Sequence, residues 1–167
     1  MTAFLGGLTQ FFIPTHLLAI VALGLLAGQQ ARVPLHVLIA FAIALAAGSL
    51  AVAFAIRETP SGLALLVLAG LAAGLVVAGR FEPFWLVALL ALAIGAMLPL
   101  NAPPHEITIA AAIAAQIGFA IAALATFSVT AFAATQATRS WQRIGLRIAG
   151  SWIAASAILV LALRLAR

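Results

Sequence analysis

The sequence predicts an all-α protein, a polytopic membrane bundle of six transmembrane helices forming a single domain over residues 1–167. Three observations predict it. The 167 residues are 66% hydrophobic and only 7% charged, where a soluble domain carries about 25% charged residues. The mean hydropathy is +1.30. The apolar residues fall in long, continuous Ala/Leu-rich runs without the alternation of barrel strands, and in lipid only helices or closed barrels satisfy every backbone group.

This composition excludes a cytosolic globular enzyme, a nucleic-acid binder and a disordered linker. The formal charge of +5 comes from arginine, without lysine, set against three glutamates and no aspartate. The arginines stand singly or in one short cluster between apolar runs, which is the distribution of topology-setting charges. With no cysteine, disulfides, thiolate metal sites and thiol chemistry drop out.

Crossing roughly 30 Å of hydrocarbon takes about 20 apolar residues. The runs that approach this are 11–28, 35–56, 62–79, 83–100, 107–135 and 144–165. Each break between them has turn or charge chemistry, from Gln29 to Pro34, Arg57 to Pro60, Arg80 to Pro83, Asn101 to Glu106 and Arg139 to Arg143. Pro34, Pro60 and Pro83 each stand where a helix can begin, because proline at the first helical position gives up no needed hydrogen bond. The third and fourth runs are short for a span, and the fifth is long enough to tilt, kink or lie partly in the interface. Met1 to Gln10 carries no basic residue, so the first run is expected to be a retained span rather than a cleaved signal peptide.

Arginine placement gives the orientation. With the N-terminus outside, the inner connections hold Arg32, Arg80, Arg139, Arg143 and Arg147, and the outer ones Arg57, Arg164 and Arg167. The excess favours N-out/C-out. Arg139, Arg143 and Arg147 are spaced i, i+4, i+8, so they share a helix face from which they can snorkel to headgroups. Trp85, Trp141 and Trp152 lie near span ends or within a few turns of them, as an interfacial belt expects. Helix association in lipid relies on small residues. Gly24 with Gly28 and Gly70 with Gly74 provide such pairs, for a tightly packed bundle or for a homo-oligomer.

Few polar residues remain for function. An ionisable side chain inside a span is a functional candidate because leaving it in hydrocarbon is costly. In an up-down bundle, His16 and the connection holding His105 and Glu106 share the outer face, while His36 opens a span on the inner face. Two imidazoles and a carboxylate suit a borderline divalent ion, so His16, His105 and Glu106 are the candidate metal ligands. The competing reading has water satisfying His105 and Glu106, Glu106 favouring a helix N-terminus, and His16 bonded to a carbonyl. His36 is expected to be an interfacial side chain beside Arg32. Gln116, Thr126, Ser128 and Thr130, all in the fifth run, read as interhelical hydrogen-bonding groups or as a polar path. No nucleophile–base–acid set, phosphate loop or His-Glu-x-x-His helix occurs, so no catalytic residue is expected and the chain is not expected to be an enzyme.

The stretch Ile13-Pro14-Thr15-His16-Leu17-Leu18-Ala19-Ile20, continuing to Ala27, resembles the first span of the HupE/UreJ family of small bacterial membrane proteins. Gly118-Phe119-Ala120-Ile121-Ala122 is similar to that family's Gly-Phe-x-x-Ala segment in the fifth span. Arg143-Ile144-Gly145-Leu146-Arg147 through Ser151 is similar to its basic turn into a small-residue last span. The family's first-span pattern, His-Pro-x-x-Gly-x-Asp-His, leaves only His16 here, with Thr9 at the first histidine and Thr15 at the aspartate. Its second pattern, His-Gly-x-Ala-His-Gly followed by Glu, falls on the region of His105 and Glu106 with different spacing. Its later histidine falls near Phe127. The resemblance implies a bacterial inner-membrane, multi-pass protein with transported nickel or cobalt as its metal, and no resident cofactor. The expected function is permeation of a divalent metal or small solute. The alternative is a non-catalytic accessory or assembly subunit packed within a larger membrane complex. The bilayer is the expected partner, with a homo-oligomer or a larger complex beyond it.

Overall fold

The structure, a computed structural model, describes residues 2–10, 12–30, 35–53, 62–79, 83–102 and 108–166. Among them every regular element is a helix: α1 (Thr2–Gln10), α2 (Pro14–Gln29), α3 (Leu35–Ala53), α4 (Gly62–Ala78), α5 (Phe84–Leu100), α6 (Ile109–Thr135) and α7 (Ser140–Leu165). The six apolar runs correspond to α2 through α7. The additional α1 was not expected from the sequence.

Local chemistry sets the ends. Pro14 sits at the start of α2, where its missing N–H costs nothing. Thr108 caps α6, its Oγ1 accepting from the Ala111 amide at 3.3 Å. The Gln142 Oε1 accepts from the Arg139 amide at 2.9 Å and so starts α7 at Ser140, ahead of the apolar run that marked it in the sequence. Gly79 ends α4 with φ +62°, a left-handed conformation in which a Cβ would be strained. Its amide bonds the Leu75 carbonyl at 3.2 Å, a common way to close a helix.

Three of these helices, α3, α6 and α7, are long and apolar enough to cross a membrane. A fourth span results if α1 and α2, bent by 69° relative to each other, count as one. The apolar helices α4 and α5 have 17 residues each, and at 1.5 Å per residue rise about 26 Å, near the lower limit for a span. The structure thus shows an all-helical chain with membrane-spanning candidates.

Contacts fix the direction of each helix. On α2 and α6, His16 meets Phe119, Gly24 faces Phe127 and Thr130, and Gly28 faces Ala131 and Ala134, so the two run parallel. Phe41 stacks on Phe127 at 5.0 Å while Ser49 reaches Gln116, so α3 runs opposite to α6. His36 meets Phe84 and Gly48 meets Ala96 and Pro99, so α5 follows α3. Gln29 bonds Val76, placing the ends of α2 and α4 together. Gly62 lies by Arg164 and Gly150 by Val76, so α7 opposes α4. Helices α2 to α7 therefore alternate in direction.

At the centre is α2, packed against α4, α5, α6 and α7, with Ala22 to Gly28 buried without a break. A helix apolar and buried on all sides belongs in the interior. Small residues permit the closeness. A Cβ on Gly24 would strike the Thr130 side chain, and one on Gly28 the Ala131 carbonyl. The Gly24/Gly28 pair therefore serves packing within the chain. Gly70 and Gly74 do not pack this way, for a Cβ on Gly70 would meet Ala157 at 3.9 Å and one on Gly74 would meet nothing within 4 Å. At the periphery, α7 buries only Gly150 and Ala157.

The unexpected α1 is held against α6. A Cβ on Gly7 would strike the Ala115 carbonyl, and one on Gly118 the Phe4 carbonyl. These pairs run in opposite order along the two helices, so α1 opposes α6 whereas α2 parallels it. Two adjacent glycines, Gly6 and Gly7, make α1 a poor helix by propensity. Close packing on α6 supplies what propensity lacks.

Candidate functional site

The alternation of helix direction sorts the polar residues into two ends. One end collects the start of α2 with His16, the end of α3 with Ser49, the end of α5 with Asn101, the start of α6 with Gln116, and the end of α7 with Arg164. The other collects Gln29, His36, Arg139, Arg143 and Arg147.

His16 lies in the first turn of α2, just past the break from α1. Only 1% of it is exposed. Its ring meets Phe119 edge-on, with centroids 5.5 Å apart and planes at 88°, a favourable aromatic geometry. Phe119 in turn adjoins Gly118, on which Phe4 of α1 rests. His16 is therefore enclosed by protein at one end of the bundle rather than set on an open mouth.

Gln116 is the second buried polar side chain. Its Nε2 donates to the Ala102 carbonyl at 3.3 Å, and its Oε1 faces the Ser49 Oγ at 3.4 Å. The Ser49 hydroxyl lies closer to its own Leu45 carbonyl, at 2.8 Å, so the Ala102 bond is the stronger tie. Gln116 thus joins α3, α6 and the segment after α5. One turn further on, Phe119 touches His16. An imidazole and a carboxamide are neutral groups that donate and accept hydrogen bonds, and the imidazole is also a ligand for borderline divalent ions.

His105 and Glu106 lie outside the described residues, as do Glu58 and Glu82. Ala102 and Thr108, which flank the segment holding His105 and Glu106, both sit at the His16 end. Among the described residues, no three His, Cys, Asp or Glu side chains come together as a metal-binding group. His36 is exposed and meets Phe84 edge-on at 5.4 Å, at the opposite end from His16, as the up-down order expects.

Two further polar residues of α6, Thr130 and Ser128, are placed differently from Gln116. The Thr130 Oγ1 donates to its own helix, at the Thr126 carbonyl 2.7 Å away, and Ser128 is exposed. Arginine behaviour also differs from free snorkelling. The Arg147 Nε donates to the Val77 carbonyl at 2.8 Å and Nη2 to Ala78 at 3.5 Å, while Gln29 Nε2 donates to Val76 at 3.2 Å. These three carbonyls end α4 and have no partner within the helix, and a cation there is also favoured by the helix dipole. The Arg143 Nε donates to the Ala137 carbonyl at 3.4 Å. None of this was visible in the sequence, because it depends on α4 and α7 lying antiparallel. No family model, curated protein or solved structure matches the chain.

Proposed function

We propose that this chain is a six-span inner-membrane permease for a small divalent cation, nickel or cobalt first, as its resemblance to the HupE/UreJ family implies. The single observation behind this reading is the burial of His16 at a break between two helices. An ionisable side chain enclosed within an apolar bundle is costly to keep. Broken helices at membrane depth are a recurring way to build transporter sites, because interrupted backbone is tolerated only where protein or a cavity surrounds it. The bent pair α1 and α2, both seated on α6, fits that pattern as a broken span or a re-entrant pair.

In this reading α2 to α7 are the six spans. Arg139, Arg143 and Arg147 mark the cytoplasmic end, which puts the His16 end, together with the end of α7, outside. His16 is the first ligand, and His105 and Glu106 join it from the segment between Ala102 and Thr108. Several ligands that replace part of the hydration shell, yet release the ion, are what permeation requires.

The test is uptake of nickel(II) or cobalt(II) into vesicles bearing the chain. The variant His16→Leu, which keeps the packing volume, should reduce uptake at least tenfold, the scale of losing one of a few ligands. Unchanged uptake would remove the transport reading.

A second reading, an accessory subunit of a larger membrane complex, draws support from α7, which buries just two of its residues and so offers a long apolar flank. Mild-detergent purification separates the two. A permease should emerge alone or as a homo-oligomer, whereas an accessory subunit should bring other chains in fixed ratio.

A further inference from the structure

At the end opposite His16, Thr138, Ser140, Arg143, Ile144 and Arg147 line an open depression of about 380 Å³. We propose that it binds the phosphate of an anionic membrane phospholipid. This inference stands independently of the transport reading.

The charge is suited to it. Two guanidinium groups lie one helical turn apart, and the lining holds no carboxylate. Each guanidinium has five N–H donors. The carbonyl bonds described above use one on Arg143 and two on Arg147, leaving the rest for an anion. Those same bonds hold the side chains in place beforehand, which lowers the ordering cost of binding. Arginine in this arrangement matches phosphate geometry with paired donors, and the hydroxyls of Thr138 and Ser140 add neutral donors beside them.

The depth is suited as well. Trp141 is 64% exposed beside the depression, and Trp85 is 58% exposed at the same end of the bundle, as side chains at headgroup level are. Ile144 forms part of the lining, and Ile148, one turn deeper, is exposed. A site with guanidinium groups above and isoleucines below matches a headgroup with its acyl chain. A free phosphate ion would have no use for the isoleucines.

The experiment uses the full chain in neutral detergent micelles, titrated with phosphatidylglycerol or phosphatidylcholine, with bound lipid counted by native mass spectrometry. Wild type should retain phosphatidylglycerol in preference to phosphatidylcholine. In Arg143→Gln the apparent affinity for phosphatidylglycerol should fall by roughly tenfold, the scale of one charge-assisted contact. Arg164→Gln, at the other end, should leave it unchanged. Should Arg143→Gln fail to fold, Arg143→Lys takes its place, and should still lose several-fold because it keeps the charge but not the fork. Wild-type retention in the Arg143 variant would overturn the proposal, as would an equal loss in Arg164→Gln. Displacement of the lipid by inorganic phosphate at equal concentration would also overturn it, by identifying a site for the free ion.

Discussion

At the end of the bundle that holds His16, two neutral polar side chains turn inward. His16 is enclosed against Phe119, and Gln116 is spent on the Ala102 carbonyl. At the opposite end the arginines turn outward, and Arg143 and Arg147 lie exposed while bonding the carbonyls of Ala137, after α6, and of Val77, at the end of α4. The difference follows from what each group costs in an apolar setting. A neutral amide or imidazole can be buried if one partner meets it. A permanently charged guanidinium cannot, and stays where water and headgroups reach. The same chain therefore buries neutral polar groups at one end and keeps its cluster of cations exposed at the other.

That contrast can be broken at either end. The larger effect is expected inside. Gln116→Ala leaves the Ala102 carbonyl without its donor and loosens the tie between α3 and α6, so stability should fall by roughly 1–3 kcal/mol. Unfolding in mixed micelles by SDS titration measures it, and a change near zero would mean that Gln116 is not held as described. A smaller effect is expected outside. Arg147→Met keeps an apolar stem but removes the cation from the end of α4, and should cost about 0.3–1 kcal/mol. A loss as large as that for Gln116→Ala would erase the distinction between the two ends.

Much of the fold was legible because its punctuation is chemical. Proline and charge separated the apolar runs, and each run became a helix with ends shifted by a few residues. What failed was the part decided by tertiary contact. Residues 2–10 carry Gly6, Gly7 and Thr9, which argue against a helix by propensity, yet Gly7 lets α1 lie on α6. The start of α7 at Ser140 came from Gln142 bonding the Arg139 amide, a local cap hidden within what read as a basic turn. At the candidate site, the sequence placed His16 and His36 at opposite ends correctly, since that needs only alternation of direction. It did not foresee the enclosure of His16 by Phe119, because one histidine in an apolar run does not say which face of its helix is covered. The glycine pairs divided for the same reason. Gly24 and Gly28 look like Gly70 and Gly74 in spacing, and only the position of α6 distinguishes them.

The two ends of the bundle should face opposite sides of a membrane. The chain contains no cysteine, so single cysteines can be introduced at the two caps of α6, Thr108→Cys and Gln136→Cys. Intact spheroplasts are then treated with a membrane-impermeant maleimide. Thr108→Cys should label at once and Gln136→Cys only after the membrane is broken. Labelling of both from the same side would contradict it.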